Sequence, residues 1–151
     1  MLIDKSLQEI EKLLPFFKKT NVKVSAVNVG WHLDHSLKVV NNVCLAIKQS
    51  KVENYKSNFS FLKSYILLIG IIPRGKAKAP KNVISTADIF ENDILEQLIS
   101  ARINLEEVKK MPAKSHFRHP HFGMLCLKKS LRFLAIHTNH HLKIAQDIIK
   151  N

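Results

Sequence analysis

Eight histidines fall in three tight groups: His32 and His35 in WHLDHS, His116, His119 and His121 in SHFRHPHFG, and His137, His140 and His141 in HTNHH. Imidazoles four positions apart on a helix share one face, so His137 and His141 can both reach one cation at the ~2.0 to 2.1 Å of a Zn–N bond. An HxxxH pair alone is a weak signal, because helical histidines are more often exposed or hydrogen-bonded. A third imidazole from a facing helix strengthens it, and His32 or His35 could supply that group. Three neutral imidazoles with a position left for water make a catalytic rather than a purely structural geometry. Such a centre could ionise water or a thiol near neutral pH, or polarise a carbonyl.

The elements that must position these groups are helices, because apolar residues recur at spacings of three and four rather than two. Leu7, Ile10, Leu14 and Phe17 form the first stripe, behind Asp4 or Ser6 as N-cap and with Pro15 kinking or ending the helix. A second helix is expected from a cap at Asn28 to about Gln49, and a third from Phe59 to about Ile72, stopped by Pro73. The fourth starts at Ser85 or Thr86 and carries Ile94, Leu98, Ala101, Leu105 and Val108 before Pro112. The fifth runs from Leu127 to Ile149. Its heptad seam is Leu127, Ser130, Leu134, His137, His141, Ile144 and Ile148, which leaves His140 outside. On the second helix the matching seam is Asn28, His32, His35, Val39, Asn42 and Ala46. The expectation is an all-α, antiparallel four-helix bundle with an accessory helix, one domain spanning residues 1–151. SHFRHPHFG, with its prolines and glycine, reads as a loop.

Composition bounds the classes. At 151 residues, with 46% hydrophobic and 24% charged residues, the chain is globular and sized for one core. Cys44 and Cys126 form no CxxC pair and read as small buried apolar residues of a reducing, cytoplasmic protein. The start of the chain is amphipathic, unlike a secretory leader, and YILLIGII is far shorter than the ~20 residues that cross a bilayer. No membrane role is expected. The formal net charge of +12 comes from Lys and Arg scattered at helical spacing, without a nucleic-acid-binding signature, so solvated helix faces are favoured over nucleic acid as the partner. Anionic small molecules would still be drawn to such a surface.

Other residues carry weaker signals. Asp34, between the two histidines of the second helix, reads first as a surface carboxylate and second as an imidazole-orienting group or base. His119 and His121 flank Pro120 and read either as partnerless loop residues or, by resemblance to a family of bundle proteins, as substrate contacts at the mouth of the bundle. Trp31 is expected in the core or lining a pocket.

WHLDHSL, HPHFGML and HTNHHLKI together resemble the DinB/YfiT-like superfamily of metal-dependent bundle proteins, in particular a branch with an HPxFG segment. The resemblance implies a divalent metal, zinc or nickel most often, held by His137 and His141 of HxxHH, with His140 non-ligating. It leaves the ligand on the second helix open: counting from a cap at Ser25 points to His32, and from Asn28 to His35. It also implies a small-molecule substrate, with characterised relatives using low-molecular-weight thiols in transfer reactions; apart from the resemblance, bundles with an extra exposed apolar face often form homodimers. Many members follow HxxHH with Arg-Gly-Gln, where this chain has Leu142, Lys143 and Ile144. The competing class is a basic helical binding module whose histidines are structural.

Overall fold

The computed structural model describes residues 2–74 and 88–150. Among the described residues five α-helices and one β-hairpin follow in the order α1 (Leu2–Leu13), α2 (Val29–Gln49), α3 (Phe61–Ile69), α4 (Glu91–Val108), β1 (His116–His119), β2 (Gly123–Cys126) and α5 (Leu127–Lys150). The expected dominance of helix is therefore met, with a short antiparallel sheet added.

Each helix forms where its apolar stripe can be buried. In α1 the stripe is Ile3, Leu7 and Ile10, and Pro15 falls in a single 3-10 turn, Leu14–Phe16, that ends the helix as its missing N–H requires. Asn28 is the N-cap of α2: its Oδ1 accepts a 2.8 Å bond from the Trp31 N–H. On α2 burial is wide rather than confined to one seam, and it embraces Leu33, Leu37, Val40, Cys44 and Ile47 together with both histidines. Asn42, placed on the inward seam by spacing, is exposed instead. In α4 all five stripe residues, Ile94 to Val108, are buried as expected. Its expected start at Ser85 or Thr86 lies outside the described residues. The described helix begins at Glu91, where the Asp93 carboxylate accepts from the Phe90 N–H.

α2 packs on α4 and α5, and α1 packs on α5 and α4. These four helices enclose the core, with α3 against α5 at the side. Side-chain amides lock the α2–α4 contact: Asn41 Nδ2 donates to the Gln97 carbonyl at 3.1 Å, and Asn104 Nδ2 donates to Asn41 Oδ1 at 2.8 Å.

Two expectations need correction. The third helix is shorter than its spacing suggests, because Gly70 adopts a left-handed φ of 74° and closes it at Ile69. Its apolar residues Ile66 and Leu67 are buried, while Phe59, Leu62 and Ile69, at the helical spacing of Ile66, face solvent. The SHFRHPHFG segment is a hairpin rather than a loop, pairing Phe117 with Leu125 and His119 with Gly123. Pro120, His121 and Phe122 make a three-residue turn, and Gly123 at φ 69° supplies the left-handed residue such turns need. A Cβ there would also lie 2.5 Å from the Asn58 side chain, whose Nδ2 donates to the Phe122 carbonyl. The turn therefore strongly favours glycine.

Candidate metal centre

α2 and α5 lie side by side, and their register brings the histidines of the two helices together. His35, His137 and His141 each offer one ring nitrogen, and the three nitrogens lie within 4.8 Å of one another. Ring centroids are 5.2 Å apart for His35 and His137, 4.6 Å for His35 and His141, and 4.7 Å for His137 and His141. The spacing of four on α5 and the Asn28 cap on α2 together produce this cluster. Three histidines from two helices thus lie close enough to hold a metal ion.

His32 lies outside that group of three and behind it. Its Nδ1 is 3.0 Å from His141 Nδ1, and its Nε2 is 3.0 Å from the Ser25 hydroxyl. His140 stands beside the cluster, half-buried, with its ring edge-on to His141 at 5.1 Å and bonded to the Ile72 backbone.

Burial, reinforced by crowding, keeps His32, His137 and His141 neutral. Burial pushes His137 down to about 3, and charge on His35, His140 or His119 would push it further. His32 falls to about 4, again chiefly by burial and then through His35, His140 and Arg74. Burial also holds His141 far below the usual histidine range, helped by His137, His35, His32 and His140. Neutral imidazoles keep the lone pairs that a cation binds. The Nδ1 of His137 is buried without a hydrogen-bond partner, an arrangement that leaves its desolvation uncompensated until something binds there. A metal ion fits this set of donors.

Aromatic rings wall the cluster. Trp31 stacks on His35 with centroids 4.9 Å apart and planes 11° apart, so it lines the site as its position suggests. Phe133, one turn before His137, touches that ring at 5.6 Å and meets His119 edge-on at 4.8 Å. Sequence reading passed over Phe133, although its spacing of four from His137 puts it on the same helix face. It also passed over the bond from Ser25 to His32, since no short-range pattern reports a contact between a turn and a helix side chain.

The remaining candidates resolve as follows. Asp34 is 3% exposed, so its expected surface position is overturned. Its carboxylate accepts from Gln97 Nε2 at 2.7 Å and pairs with Lys38 at 2.9 Å, tying α2 to α4. His119 is neither partnerless nor loose: its Nδ1 accepts from the backbone N–H groups of His121 and Phe122 at 3.1 and 3.2 Å, and its ring stacks on Phe122. Burial, then the neighbouring His121, lowers it to about 4. His121 is exposed at the tip. Cys44 is fully buried with its thiol pushed up to about 12 by burial, which rules out a thiolate nucleophile at neutral pH. Cys126 is half-buried rather than enclosed.

A cleft of about 240 Å³ opens beside His140, lined by Ile72, Arg74, Ile136, Asn139 and Lys143. Among the described residues no helix is long and apolar enough to cross a membrane. No protein-family model, curated protein or solved structure matches the chain.

Proposed function

We propose that His35, His137 and His141 hold one divalent cation, zinc or nickel, and that the chain is a metal-dependent enzyme of the DinB/YfiT-like kind. On this reading the four packed helices are its antiparallel bundle, and α3 is the accessory helix. The observation that carries the proposal is the convergence of three imidazoles from α2 and α5, completed by the unpartnered buried nitrogen of His137. A pure binding module has no use for that arrangement, since a buried polar atom left unpaired costs about 1–3 kcal/mol.

A cation bound there would supply a Lewis acid that lowers the pKa of a coordinated water or thiol. The protein's own part is to present three imidazole donors, to exclude bulk water with Trp31 and Phe133, and to admit substrate from one side. The cleft beside His140 would be that side, with Lys143 and an Arg74 paired to Asp147 on one wall and Ile72 and Ile136 on the other. It suits a small molecule with an anionic group, and a low-molecular-weight thiol that loses its proton and adds through sulfur to an electrophile is the substrate we favour.

Metal analysis of purified, untagged protein should find one equivalent of zinc or nickel. His137→Ala or His141→Ala should lose it nearly completely, and His140→Ala should keep most of it. Metal-dependent consumption of a thiol with an electrophile, absent in His137→Ala, would carry the transferase reading. Metal content unchanged in the doubly substituted His137→Ala, His141→Ala protein would end the proposal. Tight nucleic-acid binding that survives demetallation would point to the binding-module class instead.

A further inference from the structure

Two imidazole nitrogens 3.0 Å apart can share only one proton: two N–H groups would collide, and two lone pairs would repel. One of His32 and His141 therefore donates through Nδ1 and the other accepts. The second nitrogen of His32 faces the Ser25 hydroxyl at 3.0 Å, so both of its ring nitrogens are engaged. Ser25 is held in turn, its N–H donating to the Asn21 carbonyl at 2.9 Å and its hydroxyl oxygen accepting from the Val27 N–H at 3.3 Å. His32 itself is 4% exposed, which leaves little room for water to substitute for either partner.

Resting on the metal centre proposed above, we infer that Ser25 and His32 form a positioning relay that fixes His141 as the Nδ1–H tautomer and so leaves its Nε2 lone pair for the cation. The proton placement follows step by step. His141 Nδ1–H donates to His32 Nδ1, His32 must then carry its own proton on Nε2, and that N–H donates to the Ser25 oxygen. The reverse order would put a hydrogen on His141 Nε2 and block ligation. His32 is thus a positioning residue behind a ligand, the role that carboxylates and carbonyls take at other metal-binding histidines. An imidazole fills that role here without bringing a charge into the buried cluster.

The test is zinc affinity, measured by competition with a chelator, on the full chain, with melting temperature followed in parallel. His32→Leu removes the acceptor and should weaken zinc about 10- to 100-fold. His32→Asn places a carbonyl oxygen near the former Nδ1 and should recover most of that loss, which a packing role would not explain. Ser25→Ala, a milder change at the end of the chain, should weaken zinc several-fold with its melting temperature little altered. Nitrogen NMR of the imidazoles in the zinc-loaded protein should give His141 as the Nδ1–H tautomer and His32 as the Nε2–H tautomer. Equal zinc affinity in wild type and His32→Leu overturns the relay alone, as does a His32→Asn protein as weak as His32→Leu. A wild-type chain that binds no zinc or nickel overturns the metal centre and the relay with it.

Discussion

The indole of Trp31 lies flat on the imidazole of His35, 4.9 Å between centroids and 11° between planes. Four positions apart on one face of α2, the two rings form a single stacked slab at the wall of the histidine cluster. Because Trp31 is the only tryptophan in the chain, its fluorescence reports on His35 without interference. Zinc titration should change the emission and saturate at one equivalent, and His137→Ala should abolish the response. An emission unaffected by saturating zinc and nickel would argue against His35 as a ligand.

Removing the unpartnered nitrogen should stabilise the metal-free fold. His137→Leu replaces a buried, unsatisfied imidazole with an apolar side chain of similar volume. It should raise metal-free stability by about 1 kcal/mol while eliminating the metal. Thermal melts with and without chelator check both halves. A lower melting temperature in chelator would mean that His137 is already satisfied in the empty site.

Acidification should destabilise the metal-free protein early. His32 titrates near 6.5 when unfolded but only at about 4 in the fold, so between those values the unfolded chain binds a proton that the native state refuses. Stability is thus full above pH 6.5 and falls as pH drops toward 4, by up to about 1.4 kcal/mol per pH unit for this residue. His137 extends the same loss to about 3. Urea midpoints should decline across this interval and decline less steeply in His137→Leu. Midpoints that rise on acidification would contradict burial of neutral imidazoles.

Asp34 should matter for the fold and not for the metal. Asp34→Ala leaves the Gln97 amide without its acceptor and Lys38 without its carboxylate, at a cost of about 2–3 kcal/mol. Zinc affinity of the folded variant should stay within a few-fold of wild type. A large loss of affinity with unchanged melting temperature would move Asp34 into the site.

Much of this was legible in the residues. Helical periodicity is a local signal, and it gave the extent of α2 and the buried stripes of α4 and α5. The HxxxH spacing put His137 and His141 on one face, and the Asn28 cap set the phase of α2. What escaped depends on contacts between distant segments. Asp34 looked exposed because its partner Gln97 comes from another helix, and a buried carboxylate has no mark in its own neighbourhood. The hairpin was hidden because its strands are four residues each and its punctuation resembles a loop. Spacing could not separate His32 from His35, since both lie on the inner face of α2. Only the depth of α5 against α2 assigns one to the cluster and the other to Ser25.

β2 ends at Cys126 and α5 begins at Leu127, with no residue between them. Ser130 rivets the junction, its hydroxyl bonding to the carbonyls of Leu125 and Cys126 at 2.9 and 3.0 Å. The hairpin therefore indexes the helix as a key indexes a shaft, and the compass direction of His137 and His141 is set at the strand. One residue inserted at that junction would turn α5 by about 100° against the sheet. The two histidines would keep their spacing yet no longer point at His35.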